Sequence, residues 1–430
     1  MKKWIFLALY IGGIMSAQDS IKEGAKLTSI EIRGVQVPFI FEQSKQLPVG
    51  SIEFIFVGGA SDEQKDGLAA LSSKILNEGT KQLGNVEFAK KLESKAISIY
   101  AGANLQTMSF EISYLKEFED LSFEFFKDLL YNPNLTPNAL NKVKMLTLNR
   151  LAREEDDFDS VASKNLYQIL FKGTRMAIPL LGTKQSIESI ELKDIEAFLK
   201  RNLVLSRLIV VAGGDVKEEA LRQKIISTFS ALPVGEGRQR EYYKTSREVD
   251  SINVDKPTEQ AFIYFGAPFD INNKEQNYIA RVMSFILGGS GFGSRIMEEV
   301  RVKRGLAYSA YTRINLDGSA DFMSGYLQTK LENKDEAIKV VKEVIRDFVD
   351  NGVNAQELSA AKAFLLGSEP LREETLSQRL NATFSNYFKG LPLNQHKKEL
   401  ELIRNLSLEE LNAYIKAHRE ILDLSFSVVE

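Results

Sequence analysis

The 430-residue chain has no cysteine. That excludes disulfides, thiolate catalysis and cysteine-held metal. It has only two histidines, His396 and His418, so a zinc centre here would be poor in the usual nitrogen ligands. Both lie on charged stretches with no ligand-spaced partner, and both read as surface residues. An excess of one charge sign is missing too. With 55 Lys and Arg against 58 Asp and Glu, the net charge is −3, which leaves no electrostatic footprint for nucleic acid. Beyond the first 14 residues no apolar run approaches membrane-spanning length. No Gly-x-Ser-x-Gly elbow occurs, no serine triad can be built from these two histidines, and the glycines near position 290 lack the lysine and spacing of a phosphate loop.

What is present is an ordinary globular composition, 44% hydrophobic and 26% charged, long enough for two or three domains. The first residues are organised differently. Lys2 and Lys3 precede an apolar run from Trp4 to Ile14, and Met15-Ser16-Ala17 offers a small-residue cleavage site. Residues 1–17 therefore read as a secretory signal peptide, with a mature chain starting near Gln18 and a periplasmic location.

The mature chain repeats itself. Residues 187–200 (IESIELKDIEAFLK) align with residues 403–416 (IRNLSLEELNAYIK), and the match continues into apolar closing strands at 208–211 and 424–427. Tyr100, Asn104 and Leu105 align with Tyr311, Asn315 and Leu316, and Leu140 and Lys144 with Leu358 and Lys362. Order is kept while the offset drifts by a few residues, as two homologous halves with small insertions would give. Alternating patterns predict strands at 27–33, 51–58, 98–104 and 107–114, answered by 260–266, 307–315 and 320–328. Helical patterns at 119–130 and 137–155 are answered by 334–350 and 355–366. The expectation is an α+β protein of two homologous domains, each a mostly antiparallel sheet with helices on one face. The domains fall at 18–236 and 256–430. Between them, 237–255 reads as a linker, within a stretch rich in charge and carrying Pro233, Gly235 and Gly237.

One stretch stands out, residues 288–312, GGSGFGSRIMEEVRVKRGLAYSAYT. Gly288, Gly289, Gly291 and Gly293 make a glycine-dense turn. Ser294 can cap a helix through Val300, Gly305 can end it, and strand follows. A glycine exit folds the chain back, which would let Arg301 and Tyr308 converge and offer donors to a carbonyl or carboxylate. The alternative is a surface arginine and a half-buried strand tyrosine. This pattern of glycine turn, Ser-Arg, acidic helix, Arg, six residues and Tyr resembles the second-domain signature of the pitrilysin/insulinase family of zinc peptidases, which includes the mitochondrial processing peptidases. The resemblance implies that Arg301 and Tyr308 contact substrate, that Gly288, Gly289, Gly291 and Gly293 line the substrate chamber, and that zinc is carried elsewhere.

The resemblance covers nearly the whole mature chain, and it exposes a loss. The family's His-x-x-Glu-His motif belongs in the interval bracketed here by Gly67-Leu68-Ala69 and Gly79-Thr80. Ala70 stands at the first histidine, Ser73 at the glutamate and Lys74 at the second histidine. Alanine has no lone pair, serine is a poor base for water, and an ammonium repels a dication. The acidic ligand expected downstream falls at Asn149-Arg150-Leu151, an amide, a cation and an alkyl group. No cofactor is expected in this chain, and zinc is expected in a partner. Two functions follow. One is the non-catalytic, substrate-binding subunit of a heterodimeric periplasmic zinc peptidase acting on peptides or unfolded proteins. The other is a stand-alone periplasmic peptide-binding or scaffold protein.

Overall fold

The computed structural model describes residues 24–271 and 273–430. The signal peptide assigned to residues 1–17 lies outside the described residues. Strand β1 (Lys26–Ile32) turns at Arg33 and Gly34, both at positive φ, and pairs antiparallel with β2 (Val35–Gln43). Two consecutive residues in that region give the tight turn that suits a two-residue hairpin. Strands β3 (Val49–Val57), β4 (Ser98–Ala103), β5 (Thr107–Leu115) and β6 (Leu208–Gly214) complete a six-stranded sheet in the order β1-β2-β6-β3-β5-β4.

The second sheet contains β7 (Ser251–Val254), β8 (Gln260–Pro268), β9 (Ala307–Leu316), β10 (Asp321–Lys330) and β11 (Ser425–Val429), in the order β7-β11-β8-β10-β9. Its pairings repeat those of the first sheet. β2 runs parallel to β6 as β7 does to β11, and the remaining shared neighbours are antiparallel in both. The correspondence reaches single hydrogen bonds. Lys144 Nζ donates to the Glu188 carbonyl at 2.9 Å, and its repeat partner Lys362 donates to the Arg404 carbonyl at 2.9 Å. The α+β expectation with two homologous halves describes this architecture.

Two strands escaped the pattern reading. β2 carries Pro38, which argues against a strand with neighbours on both sides, yet β2 lies between β1 and β6. Val37, Phe39 and Phe41 alternate into the core and outweigh it. β7 falls inside the stretch 237–255 and is held by β11, a strand that arrives only at the end of the chain.

Each sheet buries one face under its own helices. In the first half Phe54, Phe110, Phe126 and Phe229 pack ring on ring. The opposite face of each sheet carries a helix from the other half, which was not expected. Helix Phe158–Leu170, from the first half, packs on β8 and β11. Helix Leu376–Phe388, from the second, packs on β2 and β6, where Leu380 joins Ile40, Ile55, Ile209 and Val211. Both approaches are close at a glycine. A Cβ on Gly213 would meet Leu380 Cδ1 at 3.0 Å, and one on Gly266 would meet Leu170 Cδ1 at 2.7 Å. A buried ion pair fixes one exchange, with Arg379 Nε donating to Glu42 Oε1 at 2.7 Å.

Candidate functional site

The stretch 288–312 starts as the end of a helix. Asn277–Ser284 continues into a wider turn, Phe285–Gly289, so Gly288 and Gly289 close a helix while Gly291 and Gly293 make the turn. Gly288 is there for contact, because a Cβ would lie 2.3 Å from the Thr312 amide nitrogen on β9. Gly291 and Gly293 have φ of 65° and 93°, which suits glycine. Ser294 caps the short helix that follows. Its Oγ donates to the Gly291 carbonyl at 2.7 Å and accepts from the Met297 amide at 3.4 Å.

Charges along this helix are mostly paired, with one another or with the neighbouring helix Ala355–Gly367. Arg295 Nε and Nη2 grip the Glu357 carboxylate at 2.6 and 2.9 Å, and Nη2 also donates to the Gly352 carbonyl at 2.7 Å. Burial would raise the Glu357 pKa, but the hydrogen bond from Arg295 and that from the Asn354 amide outweigh it and hold the carboxyl below its usual range. Glu299 accepts from Arg304 and from Lys303, and these two bonds hold its pKa down. Arg301 is different. Among the described residues its guanidinium makes no hydrogen bond or ion pair, while its carbonyl accepts from the Gly305 amide at 2.9 Å. Its guanidinium carbon lies 4.6 Å from the Tyr308 ring centroid and 4.7 Å from that of Phe292. Tyr308 is 80% exposed and Phe292 68% exposed. The structure therefore brings Arg301 and Tyr308 together, a half-buried guanidinium against two exposed rings. Phe292 is the member that sequence reasoning missed. Its signal was available, a lone aromatic between two glycines.

The degenerate positions lie in the helix Leu68–Leu76. Glu63 fixes its start by accepting from the Gly67 and Ala69 amides at 2.9 and 2.8 Å. Ala70 and Ser73 are buried, and Ser73 Oγ donates back to the Ala70 carbonyl at 3.0 Å. Lys74 Nζ donates to Thr147 Oγ1 at 2.8 Å on the facing helix Pro137–Asp156. Burial, then the charge of Arg150, pushes the Lys74 pKa down. Arg150 turns to Glu154 at 2.8 Å, and Leu151 is buried in the core. These residues do not fit a zinc ion, since the side chains that replace the donors are an alkyl group, a self-satisfied hydroxyl and two cations. Among the described residues no group of three His, Cys, Asp or Glu is placed to hold a metal. Among the described residues no hydrogen bond, ion pair or ring contact joins this helix to the Arg301 stack.

The two histidines are not surface residues as expected. His418 is buried, stacked on Phe269 at 4.4 Å, with Nδ1 2.7 Å from Glu420. His396 is half-buried against Glu369.

Comparison with known proteins agrees with this arrangement. Residues 40–184 match the family model described as Insulinase (Peptidase family M16), and residues 189–365 match that of the Peptidase M16 inactive domain. The chain belongs to the M16 family. A relative from Helicobacter pylori described as "Non-peptidase homolog YmxG" is 44% identical over 432 residues, covering 100% of this chain and 98% of that protein. Within M16 the chain is thus a non-peptidase homologue, as the lost ligands require. The crystal structure of a peptidase M16 inactive domain from Pseudomonas fluorescens has a TM-score of 0.85 at 22% identity, covering 94% of this chain and 97% of that one. The periplasmic protease PqqL from Escherichia coli shares the fold at a TM-score of 0.75 and 13% identity, over 95% of this chain and 48% of that one. No helix among the described residues is long and apolar enough to cross a membrane.

Proposed function

We propose that this M16 chain is the non-catalytic, substrate-binding subunit of a two-chain periplasmic peptidase whose zinc is carried by a partner of the same family. One observation carries the reading. Ala70 and Ser73 are buried and Lys74 is half-buried and tied to Thr147, a set that has no use for a metal, while half-buried Arg301 and exposed Tyr308 stay together with side chains that make no hydrogen bond among the described residues. Side-chain donors left unpaired have a ready use in a bound peptide backbone. Arg301 and Tyr308 would hydrogen-bond substrate carbonyls and orient the chain for the partner's zinc-bound water. Positioning of this kind lowers a barrier by several kcal/mol. Two observations support the periplasm: the pattern of residues 1–17, and a fold shared with PqqL, a periplasmic protease.

The test is native mass spectrometry with zinc quantitation on the tagged mature chain purified from its own cells. A complex of two different chains with one zinc per pair is the expected result. A zinc-free monomer or homodimer would overturn it in favour of a stand-alone peptide-holding protein, with Arg301 and Tyr308 as ligand contacts.

A further inference from the structure

Phe292 stands alone on its turn. A Cβ built on Gly291 or on Gly293 would meet no atom within 4 Å, so the turn projects into open space with one large apolar side chain at its tip. A phenylalanine 68% exposed gains little from burial. Its contact is with Arg301, whose guanidinium is also flanked by Tyr308. A guanidinium meets rings through its face and hydrogen-bond acceptors through its edge. Two rings therefore restrain the plane of Arg301 and leave its N–H edge available, and that edge has no acceptor among the described residues. One ring would restrain it less. The remaining surface of Phe292 is apolar and lies beside that edge.

We propose that Phe292 is a third substrate contact. It is a positioning residue for the Arg301 guanidinium, and its ring takes a bulky apolar side chain of the peptide whose backbone Arg301 and Tyr308 hold. The substrate class is then an extended peptide with an aromatic or large aliphatic residue beside the held carbonyl. This rests on the peptide-binding reading of the same site. Seating such a side chain on an exposed ring gives selectivity of about tenfold over glycine.

Fluorescence anisotropy on the full mature chain tests it with two labelled twelve-residue peptides, one with a central Phe and one with a central Gly in the same polar sequence. The wild type should bind the Phe peptide about tenfold tighter. Phe292→Ala should bring the two affinities together, whereas Arg301→Ala should weaken both and keep their ratio. Side-chain NMR gives a second readout: the Arg301 Nε–Hε resonance should carry a ring-current shift that shrinks in Phe292→Ala. Binding by the wild type with a ratio that Phe292→Ala leaves unchanged would overturn the role of Phe292 alone. Failure of the wild type to bind either peptide would overturn the peptide-binding reading and this inference with it.

Discussion

Lys74 shows how a lost metal position becomes structural at the scale of one residue. Its ammonium sits where the family resemblance places a histidine and ties two helices together through Thr147. Returning histidine, glutamate and histidine to positions 70, 73 and 74 would not undo this. Arg150 and Leu151 supply no acidic ligand, and Ala70 and Ser73 are 8% and 5% exposed, with little room for larger side chains. Overpacking and a buried carboxylate without a metal should cost about 3 kcal/mol together. The triple variant Ala70→His/Ser73→Glu/Lys74→His should hold no stoichiometric zinc after dialysis and should unfold at lower urea concentration. Tight zinc binding together with unaided peptide hydrolysis would refute this. The chemistry of this site was legible in the sequence, because an alanine without a lone pair means the same in any fold. The bond from Lys74 to Thr147 was not, since its partners are 73 residues apart and neither belongs to a known pattern. His418 was misread for the same reason. Lys416, Arg419 and Glu420 beside it suggested a surface, while Phe269 comes from far away to cover it.

Among elements, the helix Leu376–Phe388 shows what local pattern can and cannot say. Its capping box, Thr375 with Gln378, is a local signal, and both halves of the box form. Nothing local says that the helix leaves its own half. That choice is made by β2 and β6, whose outward residues Ile40, Ile209 and Val211 need a cover. The Arg379–Glu42 pair sits within this contact. Arg379 is 9% exposed and Glu42 5%, and Glu42 Oε2 has no hydrogen-bond partner among the described residues. A buried pair of this kind specifies the docking geometry more than it stabilises it. Glu42→Leu alone leaves the buried guanidinium with the Glu373 and Glu374 carbonyls but no counter-charge, and should cost about 3 kcal/mol. Adding Arg379→Met should recover most of that loss in chemical denaturation. A double variant as unstable as the sum of the two single variants would show instead that the pair contributes net stability.

At the scale of the whole molecule, the two helix exchanges make each half depend on the other. The repeat was legible because both halves kept the same helix and strand patterns at nearly constant offset. How the halves join was not, because a helix crossing to the other sheet keeps the same periodicity as one that stays. The hairpin tips add a polar tie: Gln106, at the β4–β5 turn, donates to Ser319 Oγ at 2.7 Å and to the Glu241 carbonyl at 2.9 Å. Separated, residues 24–236 would leave β2 and β6 without Leu376, Leu380 and Phe384, and residues 237–430 would leave β8 and β11 without Leu166 and Leu170. Each large aliphatic side chain exposed in this way gives up about 1.5–3 kcal/mol. Patches of that size on a sheet face promote association. Expressed alone, either half should therefore aggregate, whereas co-expressed halves should elute together as a one-to-one complex in size-exclusion chromatography. A single half that is monomeric and unfolds cooperatively would show that the exchanged helices are an ornament of the fold. The Arg301 stack could then be studied on the second half by itself. If the halves are inseparable, as the exchanges require, any partner that closes over Arg301 must dock on a unit whose two sheets move as one.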